Sequence, residues 1–142
     1  TIREEQYHNF KTKFEEEVAS RITKTQRIPT LTVDLELDFS EITPKFYRIL
    51  EQFAPFGPDN MTPVFMSKSV VDSGFGKRVG TNGDHLKLNL QQSGHLFSAI
   101  GFGLGDQLER VKNNTPFDVA YAIEINEWNG NKSLQLKLKD IK

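Results

Sequence analysis

The chain has 142 residues, 37% of them hydrophobic and 26% charged, with a net charge of −1 and no cysteine. This profile fits one folded domain with a helical extension. It excludes disulfide and thiolate chemistry, and no apolar run approaches the roughly 20 residues that cross a bilayer. Charge is uneven: residues 1–60 carry 8 basic and 11 acidic groups, residues 61–142 carry 10 and 8, so any phosphate contact is expected to be local and in the second half.

From residue 2 to about residue 21, Tyr7, Phe10, Phe14 and Val18 recur every three or four positions, which predicts an α-helix with one apolar stripe. The chain starts at Thr1 without Met, already inside this pattern, and reads as an excised segment. Its stripe is expected to seek a missing domain or a second copy. Residues 23–29 are polar and end in Pro29, a linker signal. Leu31, Val33, Leu35, Leu37 and Phe39 then alternate with Thr32, Asp34, Glu36 and Asp38, predicting a strand. Thr43-Pro44 is a helix start, with Thr as cap and Pro in the first turn. Phe46, Ile49, Leu50 and Phe53 follow on one helical face, until Pro55, Gly57 and Pro58 end it.

The rest of the chain predicts five strands, at 64–72, 84–91, 95–102, 117–126 and 133–141. Ser93-Gly94 and Asn129-Gly130 supply hairpin turns, and a short amphipathic helix lies at 104–112. The order β-β-β-α-β-β is that of an OB-fold, a five-stranded, partly open Greek-key barrel, and similar orders occur in other small barrels. The expected fold is therefore mainly β with flanking helices (α+β), the barrel preceded by a helix, an extra strand and a short helix. Its divisions are a helical extension at 1–28, a connecting region at 29–63 and the barrel at 64–142.

An OB-fold takes ligands across its second and third strands, between the loop joining strands 1 and 2 and the loop joining strands 4 and 5. Alternation turns Leu86, Leu88 and Leu90 inward and His85, Lys87 and Asn89 outward. In the third strand Leu96, Ile100 and Phe102 are expected inside, with His95 and Phe97 outside. In the fifth, Leu134, Leu136 and Leu138 point in, and Gln135, Lys137 and Lys139 point out. The first loop holds Phe75, Lys77 and Arg78 among four glycines; the second holds Trp128, Asn129 and Lys132. Aromatic faces stack on any base, and cations pair with phosphates. The expected nucleic-acid contacts are thus Phe75, Trp128 and Phe97 for stacking, Lys77, Arg78, Lys87 and Lys132 for phosphates, and His85 and Asn129 as polar contacts. Each has a structural reading too: Trp128 packing on its own hairpin, Phe97 covered by the N-terminal helix or the 31–39 segment, His85 a satisfied structural histidine.

Catalytic signals are sparse. His8, His85 and His95 fall in separate elements without metal-ligand spacing. The Gly101, Gly103 and Gly105 series is better read as a strand-to-helix turn than as a phosphate loop. No catalytic residue, metal ligand or cofactor is expected within the chain.

Several stretches in order resemble the C-terminal region of the bacterial RecJ family of single-stranded-DNA exonucleases. They are PFGPDN at 55–60 with Pro63 and Phe65, Gly80 with HLKL at 85–88, NEWNG at 126–130, and LQL at 134–136 running to KDI at 139–141. Arg3, Glu4, Glu5 and Phe10 resemble the end of the domain that precedes the barrel in that family (the DHHA1 domain). Met61-Thr62 departs from the family pattern. The resemblance implies a bacterial cytoplasmic parent that degrades single-stranded DNA from the 5′ end in recombination and repair. Mn²⁺ or Mg²⁺ would be held by a catalytic core absent from this chain. The implied partners are single-stranded DNA and, further, single-strand-binding protein, with no membrane. The rival expectation is a scaffolding barrel that docks a repair factor or braces the catalytic core, favoured by the near-neutral charge.

Overall fold

Two-residue turns and an unbroken leucine alternation organise most of the chain. The computed structural model describes residues 3–23, 26 and 29–142, in two compact units, 1–31 and 32–142. The polar stretch expected as a linker at 23–29 falls largely outside the described residues.

In the first unit, α1 (Glu4–Arg21) carries Glu4 and Glu5 in its first turn and Arg21 in its last, both favourable to the helix dipole. Tyr7, Phe10, Phe14 and Val18 are exposed, and the rings of Phe10 and Phe14 stack at 5.7 Å. No residue of α1 is buried.

In the second unit the expected strand at 31–39 shrinks to β1 (Leu35–Glu36), which pairs in parallel with β2 (Phe65–Asp72). The alternation there is real only at its end, where Leu37 and Phe39 are buried while Leu31 and Leu35 stay exposed. Asp38 stops the strand. Its carboxylate accepts from the Ser40 N–H (2.9 Å) and Ser40 hydroxyl (2.6 Å), and its own N–H donates to Glu41 (2.8 Å). This capping box turns the chain into a short 3-10 helix, Phe39–Glu41. Hydrogen bonds from Ser40, then from Ser93, hold the Asp38 carboxyl below its usual value. The α2 helix (Pro44–Glu51) begins as expected, the Thr43 hydroxyl accepting from the Phe46 N–H at 3.1 Å. Only part of that apolar face is covered. Phe46, Tyr47 and Leu50 pack on the core, whereas Ile49 and Phe53 are exposed.

The remaining elements are β3 (Lys77–Val79), β4 (His85–Gln92), β5 (His95–Gly101), α3 (Leu108–Val111), β6 (Phe117–Trp128) and β7 (Asn131–Ile141). The sheet runs β1-β2-β6-β7-β5-β4-β3 and closes on itself where β2 also pairs with β4, at Val71 opposite Gln91 and Asp72 opposite Leu90. All pairings within the barrel are antiparallel except β5 with β7. This is the OB-fold, with two added strands, β1 beside β2 and β3 formed inside the first loop. Turn residues Ser93-Gly94 and Asn129-Gly130 all have positive φ, the geometry that matches strand twist in a two-residue hairpin.

The core gathers Phe39, Val70, Leu86, Leu88, Leu90, Tyr121 and Leu136 with their neighbours. One polar pair lies within it. The Ser67 hydroxyl sits 2.6 Å from the Leu37 carbonyl and 2.7 Å from the Tyr121 phenol. The glycine series after β5 has a packing cause. A Cβ on Gly105 would fall 2.2 Å from the Gly83 carbonyl oxygen, and one on Gly101 would meet the Leu104 side chain at 2.8 Å.

Candidate nucleic-acid interface

The outward face of β3, β4, β5 and β7 follows from the strand registers, because directly paired residues point to the same side. Lys77 lies opposite Lys87, Lys87 opposite Ile100, and Ile100 beside Lys137. The next row is Asn89, Ser98 and Gln135, with Gln135 donating to the Ser98 hydroxyl at 3.1 Å. Among the described residues no carboxylate lies within ion-pair distance of Lys77 or Lys87, whereas Lys137 pairs with Glu124 at 3.0 Å. Two like charges directly opposite each other weaken a sheet.

The third predicted strand is inverted. Leu96 and Phe102, expected inside, are 58% and 57% exposed. Phe97, expected as an outward stacking residue, is half-buried and packs on the core with its ring edge-on to Phe39 at 5.2 Å. The Ser93-Gly94 turn is the cause. It pairs Gln92 with His95, and counting back sets Phe97 beside Leu90, Ala99 beside Leu88 and Gly101 beside Leu86. All three leucines face the core, so their partners do too. That count was available in the sequence; the apolar character of Leu96, Ile100 and Phe102 obscured it.

Phe102 is therefore the aromatic at one end of the face. The His85 ring meets it edge-on at 5.1 Å, and the Lys137 ammonium lies 5.8 Å from its centroid. His85 is half-buried, and its Nδ1 accepts from the Gly103 N–H at 3.2 Å. A Cβ on Gly80 would approach the same ring at 3.1 Å, so His85 acts as a wedge between Gly80 and Phe102.

Trp128 marks the other end. It pairs with Asn131, and alternation along β6 and β7 sets it on the side of Asn126, Glu124, Gln135 and Lys137. It is 73% exposed on the hairpin tip beside Asn129, whose φ of 50° the turn requires. Asn131 and the position level with Phe102 are eight residues apart along β7, roughly 26 Å at strand rise.

Two expected phosphate contacts lie off this face. Arg78 pairs with Leu86, whose side chain enters the barrel, and bridges to Asp106 at 3.4 Å. Lys132 pairs with Glu127 on the opposite side of the hairpin from Trp128, with an ion pair of 3.5 Å. Phe75 is 71% exposed between β2 and β3. Among the described residues no group of three His, Cys, Asp or Glu is placed to hold a metal ion, and no helix is long and apolar enough to cross a membrane.

Comparison with known proteins agrees with this architecture. Residues 33–140 match the model of the RecJ OB domain. The chain is 30% identical over 139 residues to the single-stranded-DNA-specific exonuclease RecJ of Haemophilus influenzae, covering 96% of this chain and 24% of the relative. It is 26% identical over 141 residues to RecJ of Bacillus subtilis, covering 99% and 18%. The crystal structure of RecJ in complex with Mn²⁺ from Thermus thermophilus superposes with a TM-score of 0.66 at 21% identity, covering all of this chain and 20% of that one. The chain thus spans about a fifth to a quarter of the length of these relatives. Since the family model takes in three quarters of its residues, barrel and preceding segment together, the chain belongs to the RecJ OB domain family.

Proposed function

We propose that this chain binds single-stranded DNA across the outward face of β3, β4, β5 and β7, as the strand-holding module of a longer exonuclease. The observation that carries the reading is the Lys77–Lys87 pair. The fold sets two unneutralised cations side by side on a sheet, at a cost to the free protein that a phosphate would relieve. Phe102 and Trp128 flank that pair along the strands with exposed rings, suited to bases that are not stacked in a duplex. The names of the curated relatives, single-stranded-DNA-specific exonucleases, support the same ligand.

On this reading hydrolysis from the 5′ end, with Mn²⁺ or Mg²⁺, belongs to a core outside this chain, working in bacterial repair and recombination, and the isolated chain leaves a labelled strand intact with either ion. The test is a titration with oligo-dT followed by Trp128 fluorescence. The expected result is saturable quenching that weakens linearly in log–log form with salt and that duplex DNA barely competes. Absence of binding at low salt, by fluorescence and by a second method, would reject the reading.

The second reading, a docking barrel, has one observation in its favour. A groove of about 370 Å³ lies between α2 and the barrel, its lining mixing Tyr47, Leu50, Phe56 and Phe65 with Glu51 and Thr62. It becomes the better account if the DNA titration fails.

A further inference from the structure

The Asp72 carboxylate is buried at the seam where β2 leaves the barrel and the first loop begins. It accepts three backbone N–H groups: Gly74 (3.0 Å) and Gly76 (2.9 Å) on one oxygen, Asn89 (3.0 Å) on the other. The flanks are fastened as well, since the Ser73 N–H donates to the Asn89 carbonyl at 2.8 Å and Lys77 enters the β3–β4 ladder. Phe75 is thus the one large apolar side chain on a four-residue turn tied at both ends, and it is 71% exposed. Gly76 is favoured here, because a Cβ would come within 2.9 Å of the Leu88 side chain and 3.0 Å of the Asp72 carboxylate itself.

A turn meant only to join two strands has no need of a buried carboxylate, and a hydrophobic ring left in water has no need of a fixed backbone. Together the two make sense if the ring is presented to a ligand, because ordering the turn beforehand removes that entropic cost from binding. Through Asn89 the same carboxylate fixes β4 at the row that carries the Asn89, Ser98 and Gln135 side chains. We propose that Asp72 is a positioning residue for strand binding: it holds Phe75 beside the Asn89 row as a third stacking aromatic, off the line between Phe102 and Trp128. This rests on the nucleic-acid reading above.

The test is a double-mutant cycle on oligo-dT binding together with amide hydrogen exchange. Phe75→Ala is expected to weaken binding roughly tenfold, the loss of one stacked base. Asp72→Ala is expected to weaken it by a similar factor and to deprotect the Gly74 and Gly76 amides. The double variant should bind no worse than either single, since Asp72 acts through Phe75. If Asp72→Ala does not fold, Asp72→Asn, which keeps the volume and one acceptor oxygen, is expected to fold and show a partial loss with partial deprotection. Losses that add in full, or unchanged binding with both glycine amides deprotected, would overturn the role of Asp72 while leaving the face intact as a site. Failure of the unaltered chain to bind oligo-dT, with Gly74 and Gly76 protected, would remove the nucleic-acid reading and this role with it.

Discussion

The Tyr121 phenol and the Ser67 hydroxyl meet 2.7 Å apart inside the barrel, both fully buried. Ser67 is also within 2.6 Å of the Leu37 carbonyl, so one hydroxyl joins the barrel wall to the segment that precedes it. Desolvation pushes the Tyr121 pKa up from 10.0 to about 12, against the opposing hydrogen bond from Ser67. The unfolded chain loses this proton near pH 10 and the folded chain holds it to about 12, so the unfolded state binds fewer protons in between. Stability contributed by the neutral phenol is present below pH 10 and falls as pH rises to about 12, by on the order of 2–3 kcal/mol. Chemical denaturation of the wild type and of Tyr121→Phe at pH 8 and pH 11 checks this, because the variant should show a smaller alkaline decline, leaving the share of other groups with raised pKa such as Tyr47 and Lys68.

The Lys77–Lys87 pair should set stability against binding. Lys77→Gln is expected to stabilise the chain slightly, by about 0.2–0.5 kcal/mol, by removing a like-charge neighbour. The same change should lower the magnitude of the log-affinity against log-salt slope for oligo-dT by about 0.7, one phosphate contact on a single strand. Thermal melts and salt titrations of the two proteins measure both effects.

Phe97 and Phe102 should separate cleanly. Phe97→Ala removes a half-buried ring from Phe39 and is expected to cost about 2–3 kcal/mol of stability. Phe102→Ala and Trp128→Ala remove exposed rings, with stability changes within about 0.5 kcal/mol and binding losses of about 1–3 kcal/mol each. Urea unfolding beside oligo-dT titration distinguishes these patterns.

The glycines after β5 should respond by what they touch. Gly105→Ala drives a Cβ into the Gly83 backbone carbonyl, which cannot rotate away, and should cost about 2–4 kcal/mol. Gly101→Ala meets the Leu104 side chain rather than a carbonyl oxygen and should cost less. Melting temperatures of the two variants settle the order.

Much of the barrel is legible in the sequence because local signals agree. Leu86, Leu88 and Leu90 alternate without exception, and the two hairpin turns carry Ser-Gly and Asn-Gly. The inverted phase of β5 was not legible from hydropathy, since its outward residues Leu96, Ile100 and Phe102 are as apolar as its inward Phe97. What decides is the Ser93-Gly94 turn, which pairs Gln92 with His95 and so sets Phe97, Ala99 and Gly101 opposite the inward Leu90, Leu88 and Leu86. The 31–39 alternation misled for a related reason, because β1 ends where the Asp38 cap turns the chain and not where the pattern stops. The Lys77–Lys87 pair could not be read at all without β3, a strand of three residues inside a glycine-rich loop.

Barrel closure also shapes how the molecule meets its own copies. A sheet that ran open from β2 to β4 would offer two long rows of unpaired amides to any passing chain. Here β2 and β4 pair with each other, and among the described residues the sheet's terminal strands are β1, of two residues, and β3, of three, with Lys77 and Arg78 on it. Borders so short, one of them cationic, give a foreign strand little to zip onto, a defence against fibril growth that comes with the same loop that carries Lys77.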